Sequence, residues 1–306
     1  MNICIILFFI TIYFILTPPM KSTPSSSSFS NEGCQCGLER ITSKIINGNR
    51  VDYGRYPWFV RLTNCGGGLI TDKHILTSAH CVSGKNEEET LEKRKNMRVV
   101  LGVFKETEFK KFPSLEVQEY IVHEGYRDEL YYNDIAIIEL KERIEFKDGL
   151  CPICLPNFEE TDNLFVYGMG RQLKLGRLMK AFFMHEIELD RMSADDCEDF
   201  FHDKFWFDKT LTLCTTNKER NHVVCHGDSG SPASTRRDGR VYFMGVTSFS
   251  HPDCSVNHEV YPNGFENVFK HIDWIRKKTT NGFYCQGEHT PFEPGLLSNN
   301  IPIQVV

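Results

Sequence analysis

Twelve cysteines are spread along a chain of 306 residues that opens on an apolar, uncharged run, residues 3–16. A run of that length at an N-terminus is short for crossing a bilayer and reads as a secretory signal over residues 1–22. No lysine or arginine precedes it, so an uncleaved anchor is the alternative. A secreted chain meets an oxidising compartment, where cysteines pair and the bridges constrain which topologies can form. Cys4 leaves with the signal, so the remaining set is odd and one cysteine is unpaired or paired outside the chain. Pro18, Pro19 and the serines at 25–28 then make a polar linker.

Net charge is −6, and no basic block stands out. That argues against a nucleic-acid partner. From Tyr56 onward the pattern is β. Short apolar or alternating runs at 58–62, 68–70, 75–77, 98–101, 116–122 and 135–140 are punctuated by turn formers. The charge-dense stretch 84–96 reads as a solvated loop, and Cys151-Pro152-Ile153-Cys154 as a proline-stiffened connection. Further strands are expected at 165–168, 178–189 and 242–246, and Ser193 should cap a short helix containing Cys197. Phe265, Val268, Phe269, Ile272 and Ile275 recur at helical spacing, with Arg276, Lys277 and Lys278 at the negative end. After Lys278 no period persists, so a loosely ordered tail is expected. The fold class is all-β, barrel or sandwich, with one late helix.

Three stretches carry chemistry. In Gly227-Asp228-Ser229-Gly230, glycines on both sides allow a sharp turn and close approach of a substrate carbonyl. A serine hydroxyl needs a base before it can attack. Thr77-Ser78-Ala79-His80-Cys81 ends an apolar strand on a histidine, and Asn133-Asp134-Ile135-Ala136 starts a buried strand with a carboxylate. Each has a bland reading: a loop serine, a structural histidine, a capping aspartate. The order His80, Asp134, Ser229 argues against an α/β-hydrolase or lipase-like esterase, in which the serine comes first. Lys44 before Ile45-Ile46-Asn47-Gly48 is a candidate processing point, or a plain turn.

With Tyr56-Pro57-Trp58, Cys65-Gly66-Gly67-Gly68 and Gly168-Met169-Gly170, these pieces run in one order from about Ile45 to Lys278. Together they resemble the trypsin/chymotrypsin family of serine proteases (peptidase S1). The resemblance implies two six-stranded antiparallel β-barrels, about 45–155 and 156–278, with the active site between them and a C-terminal helix. It makes 23–44 linker and propeptide, and 279–306 an extension. It also implies the family's mechanism. Ser229 is the nucleophile, His80 the general base, Asp134 the orienting acid, and the amides of Gly227 and Ser229 the oxyanion donors. Such a donor is worth about 3–4 kcal/mol in the transition state. Cleavage of Lys44–Ile45 would free an ammonium to pair with Asp228; a buried carboxylate left unpaired costs roughly 3–5 kcal/mol. Asn47 stands where most members carry glycine, but Gly48 is kept.

The resemblance pairs Cys65 with Cys81, Cys197 with Cys214, Cys225 with Cys254 and Cys36 with Cys154. It leaves Cys34, Cys151 and Cys285 open, and puts Leu164 and Thr235 where a further family bridge would lie. Zinc held by Cys34, Cys36, Cys151 and Cys154 is the alternative that an oxidising compartment disfavours. For specificity it points to Val223, Ser248, Phe249, Ser250 and Asn263. Valine at 223 cannot pair with a basic substrate residue. Ser250 and Asn263 replace glycines and Phe249 a tryptophan, so a small or medium uncharged residue is expected before the cleaved bond. Val103 stands where a calcium loop needs a carboxylate, so no metal and no cofactor is expected. No Asn-x-Ser/Thr sequon occurs. Expected partners are protein or peptide substrates, an activating protease and protein inhibitors. A secreted monomer is expected, with no membrane contact once the signal is cut. The competing class is a catalytically silent homologue that acts as a binding or regulatory protein. Full-length protein with Lys44→Ala should resist activation by a Lys/Arg-directed protease; equal activity of mutant and wild type in a peptide-hydrolysis assay would remove the switch.

Overall fold

Antiparallel β-ladders organise the chain in the computed structural model, which describes residues 33–40, 50–128, 131–161, 163–174, 177–202, 208–217, 224–251, 253–254 and 261–287. The first half contributes β1 (Phe59–Leu62), β2 (Gly66–Leu69), β3 (His74–Thr77), β4 (Val99–Leu101), β5 (Val117–Val122) and β6 (Ala136–Leu140). They form one sheet in the order β4-β1-β2-β3-β6-β5. The ladder does not close, unlike the first barrel expected from sequence. β4 has three residues and β5 is irregular between Val117 and Glu119, so the edges have little to pair. They are stitched just ahead of β5, where Leu115 N donates to Val99 O (2.7 Å) and Val99 N to Ser114 Oγ (3.0 Å).

The second half contributes β7 (Asn163–Gly168), the side hairpin β8 (Arg171–Lys174) and β9 (Arg177–Lys180), then β10 (His185–Met192), β11 (Thr212–Asn217), β12 (Pro232–Arg237), β13 (Arg240–Phe249) and β14 (Asn263–Asn267). β10-β11-β14-β13-β12-β7 is a closed barrel. The halves meet through aromatic side chains: Tyr56 stacks on Tyr167 with centroids 3.8 Å apart, and Trp58 Nε1 donates to Tyr167 OH at 2.6 Å. At Gly66 any Cβ would run into Ser231, so only glycine lets β2 approach the second barrel this closely.

Among the described residues five helices accompany the sheets: α1 (Ala79–Val82), α2 (Glu87–Lys95), α3 (Glu106–Lys111), α4 (Ala194–Phe201) and α5 (Ile272–Lys278). α4 starts where expected, with Ser193 Oγ accepting from Asp196 N. The stretch expected as a solvated loop is instead helical in α2. Asn86 caps it by accepting from Glu89 N (2.8 Å), and Glu87–Glu89 and Lys93–Lys95 complement its dipole. Exposure was legible, since α2 buries no residue; the caps made it a helix. The late helix begins at Ile272 rather than at 265. Phe265 belongs to β14, opposite Leu213 and Thr247. The run 178–189 is broken between β9 and β10, where Met184 N donates to Phe104 O (2.9 Å) and Ala181 and Met184 are buried.

The four expected bridges are present, and a fifth joins Cys34 to Cys285 across 251 residues. Cys151 keeps a buried free thiol whose pKa burial pushes up to about 11. With Cys34, Cys36 and Cys154 bridged, the zinc reading falls. In place of the missing bridge, Leu164 is buried and Thr161 Oγ1 donates to Thr235 Oγ1 at 2.8 Å.

Of the tail expected to be loose, residues 279–287 are instead held, and 288–306 lie outside the described residues: Phe283 N donates to Asp72 Oδ1 (2.8 Å) and Gln286 N to Cys34 O (3.1 Å). Segment 33–40 is held as well. Gly37 N donates to Pro152 O, Val241 N to Gly37 O, and Glu39 accepts from Arg55 and from two nitrogens of Arg236, all at 2.8–2.9 Å. Replacing Cys34 and Cys285 together by serine should lower stability by roughly 2–4 kcal/mol, read as a lower denaturant midpoint. An unchanged midpoint would show that the second tether constrains nothing.

Candidate active site

The three residues singled out by sequence come from three element boundaries. His80 lies in α1, directly after β3. Asp134 sits two residues before β6, and Ser229 in the turn ahead of β12. Asp134 is wholly buried and takes three donors. His80 Nδ1 donates to Oδ2 at 2.7 Å, His80 N to Oδ1 at 2.9 Å, and Ser248 Oγ to Oδ2 at 2.6 Å. Burial alone would raise the Asp134 pKa, but His80 and Ser248 outweigh it and hold the carboxyl below its ordinary range. Burial pulls His80 down, and the charge and hydrogen bond of Asp134 more than reverse this, leaving the imidazole above its ordinary value. With Nδ1 committed to the carboxylate, Nε2 is the nitrogen left for proton exchange. Lys93 of α2 braces the same loop, donating to His80 O at 3.0 Å and to Ser83 O.

Ser229 stands in a turn pinned on every side. Asp228 N donates to Cys225 O and Ser231 N to Asp228 O, both at 2.9 Å, and Gly230 N to Thr247 O and Gly66 N to Ser229 O, both at 2.8 Å. Gly227 (φ +99°) and Gly230 (φ +76°) occupy left-handed backbone that a side chain would strain. Among the described residues the amides of Gly227 and Ser229 donate to nothing. Asp228 Oδ1 accepts from Gly170 N (2.7 Å) and Oδ2 from Cys225 N (3.1 Å). Burial outweighs these amides and the nearby Arg61, and pushes the carboxyl up to about 6.

Arg61 was not singled out from sequence. It is buried in β1, and its Nη1 donates to Gly227 O at 2.9 Å and to Cys65 O at 3.2 Å. A lone cation in the wholly buried strand Phe59-Val60-Arg61-Leu62 was the available signal.

His80, Gly227, Ser229, Ser248, Phe249 and Ser250 line one cleft of about 920 Å³. Ser229 and His80 share it without a hydrogen bond between them among the described residues. Asn263 is buried beside the cleft rather than lining it, with Nδ2 donating to Thr215 Oγ1 at 3.4 Å. Phe249 covers Gly264 and packs edge-on against Phe201 (5.5 Å). Lys44, Ile45 and Val223 lie outside the described residues. Cys65, Cys81 and His80 bring three ligand-type atoms together, but both sulfurs are consumed in a bridge, which leaves one ligand and no metal site.

A half-open sheet and a closed barrel, packed together through Tyr56, Trp58 and Tyr167 and bringing a carboxylate–imidazole pair and a serine turn to one cleft, define the class. Residues 45–275 match the family model described as Trypsin, and the chain belongs to that family of serine proteases. It is 27% identical to coagulation factor XI of Bos taurus over 86% of this chain and 43% of that protein. It is 28% identical to mannan-binding lectin serine protease 1 of Mus musculus, covering 80% of this chain and 37% of that protein. With serine proteinase stubble of Drosophila melanogaster it shares 29% identity over 79% of this chain and 32% of that protein. The chain thus spans less than half the length of these relatives.

Only neutral imidazole can take a proton, and the site holds the His80 pKa above the ordinary value of about 6.5. If His80 serves as a general base, the rate of hydrolysis rises as pH climbs through that raised pKa. In a plot of kcat/KM against pH for the Ile45 form, the acid limb should have its midpoint above about 6.5; a midpoint below it would contradict the electrostatics of the pair.

Proposed function

We propose that the protein is a secreted serine endopeptidase made as a zymogen. The carrying observation is the Asp134 carboxylate, which holds His80 Nδ1 at 2.7 Å beside a cleft lined by Gly227 and Ser229, whose amides donate to nothing among the described residues. His80 Nε2 takes the proton of Ser229 as its Oγ attacks the scissile carbonyl. The tetrahedral oxyanion rests on the amides of Gly227 and Ser229. His80 returns the proton to the leaving amine, an acyl-enzyme forms, and water repeats the sequence in reverse. Asp134 keeps the tautomer and steadies the imidazolium.

Cleavage after Lys44 creates the Ile45 ammonium, and Asp228 is its partner. A carboxylate with its pKa raised to about 6 by burial gains most from a cation, which supports this switch. The substrate residue before the cleaved bond is small or medium and uncharged, consistent with Ser250 in the cleft wall. Five disulfides and the apolar run at 3–16 support secretion. The active species is monomeric and acts on proteins or peptides.

One observation favours a catalytically silent homologue instead: Ser229 and His80 are not hydrogen-bonded. A fluorophosphonate separates the two readings. After cleavage at Lys44, wild type should be labelled and Ser229→Ala should not. Absence of labelling with the Ile45 terminus confirmed by sequencing would establish the binding protein.

A further inference from the structure

The catalytic acid proposed above is held from behind as well as in front. Asp134 N donates to Glu266 Oε2 at 3.1 Å. Glu266 lies in β14 and is 2% exposed, and its other oxygen sits 2.5 Å from Nε2 of His271, which is 4% exposed. A continuous line of groups therefore runs from the cleft inward: His80, the Asp134 carboxylate, the Asp134 amide, Glu266, His271. A carboxylate–imidazole pair taken out of water is weak evidence for stability, because apolar side chains of like volume often serve a barrel as well. Its attachment to the main chain of Asp134 is what distinguishes this one.

We propose that Glu266, anchored by His271, is the positioning residue for the acid: it fixes the Asp134 main chain and so aims the carboxylate at His80. A buried N–H without an acceptor is costly enough that the chain shifts to find another. Asp134 reaches His80 with both oxygens, so a shift at its amide is passed on to both bonds. Burial raises the Glu266 pKa, His271 and the Asp134 amide oppose it, and the charge of Asp134 adds a smaller rise. Asp134, Lys93 and Asp128 face His80, Tyr131 packs edge-on to it at 6.2 Å, and Tyr126 and Tyr131 lie near Asp134. His123 packs edge-on to His271 at 5.1 Å, and beyond it Glu124 accepts from Trp274 and pairs with Lys278.

The catalytic consequence rests on the proposed protease function; the geometric one does not, so the primary readout needs no turnover. In uncut protein carrying Ser229→Ala, the His80 Nδ1 proton is followed by NMR and its titration recorded. Glu266→Gln keeps an oxygen acceptor and should leave the resonance downfield and the midpoint nearly unmoved. Glu266→Val removes the acceptor; the resonance should move upfield or broaden, and the midpoint should fall toward the ordinary histidine value. In the activated enzyme, Glu266→Val should lower kcat by about tenfold to a hundredfold, with KM changed by less than about twofold and Glu266→Gln restoring most of the rate. A folded Glu266→Val protein with wild-type His80 resonance and midpoint would overturn the proposal. Should that variant not fold, His271→Phe, which leaves Glu266 unanchored, should give the same change to a smaller degree, and an unchanged His80 would overturn it equally. Coupling seen by NMR in a protein that never labels would sink the protease reading alone.

Discussion

A buried carboxylate must be repaid in hydrogen bonds, and Asp134 is where this molecule concentrates them. Three donors converge on its oxygens and one acceptor takes its amide. They come from α1, β13 and β14, so both halves of the molecule must be correctly docked before the carboxylate is satisfied. An unsatisfied carboxylate at that depth would cost several kcal/mol. The docking of the sheet onto the barrel and the readiness of His80 are therefore one constraint seen from two sides.

The second carboxylate at the site, Asp228, is treated oppositely. It receives two amides and lies near one buried guanidinium, and burial still raises its pKa to about 6. One acid is thus held below its ordinary pKa and the other raised above it, both behind residues that line a single cleft. Divergent environments for paired acids are how a fold assigns different duties to the same side chain. The covalent frame keeps both environments in place. Segment 33–40, lying before the proposed cleavage bond, is tied by two bridges and by the Glu39–Arg55–Arg236 cluster, so it stays with the domain whether or not the chain is cut.

Motifs were readable wherever function needs special chemistry close together in the chain. Glycines around Ser229, the cysteine beside His80 and the apolar run after Asp134 each announce their own local geometry. Arg61, Glu266 and His271 were not readable, because nothing near them in sequence shows what they meet: Arg61 reaches Gly227 across 166 positions, and Asp134 reaches Glu266 across 132. The helix α2 was missed for a different reason. Its apolar content is too low for a helical period to show, and its caps and end charges, which decide its state, were not weighed. The helical spacing of residues 265–275 misled because a strand followed by a turn buried apolar residues at the same intervals.

Residue identity and order alone determined the family, the all-β class and the candidate residues His80, Asp134 and Ser229, since those rest on local motifs in a set sequence. Which cysteine remained single was beyond it: with Cys34, Cys151 and Cys285 open, only the pairing of the segments around Gln35 and Gln286 selected Cys34–Cys285. The incomplete closure of the first sheet, the Arg61 contact to the serine turn and the support behind Asp134 were likewise decided in three dimensions. Each depends on the distance between groups that the backbone brings together, and linear spacing carries no such distance.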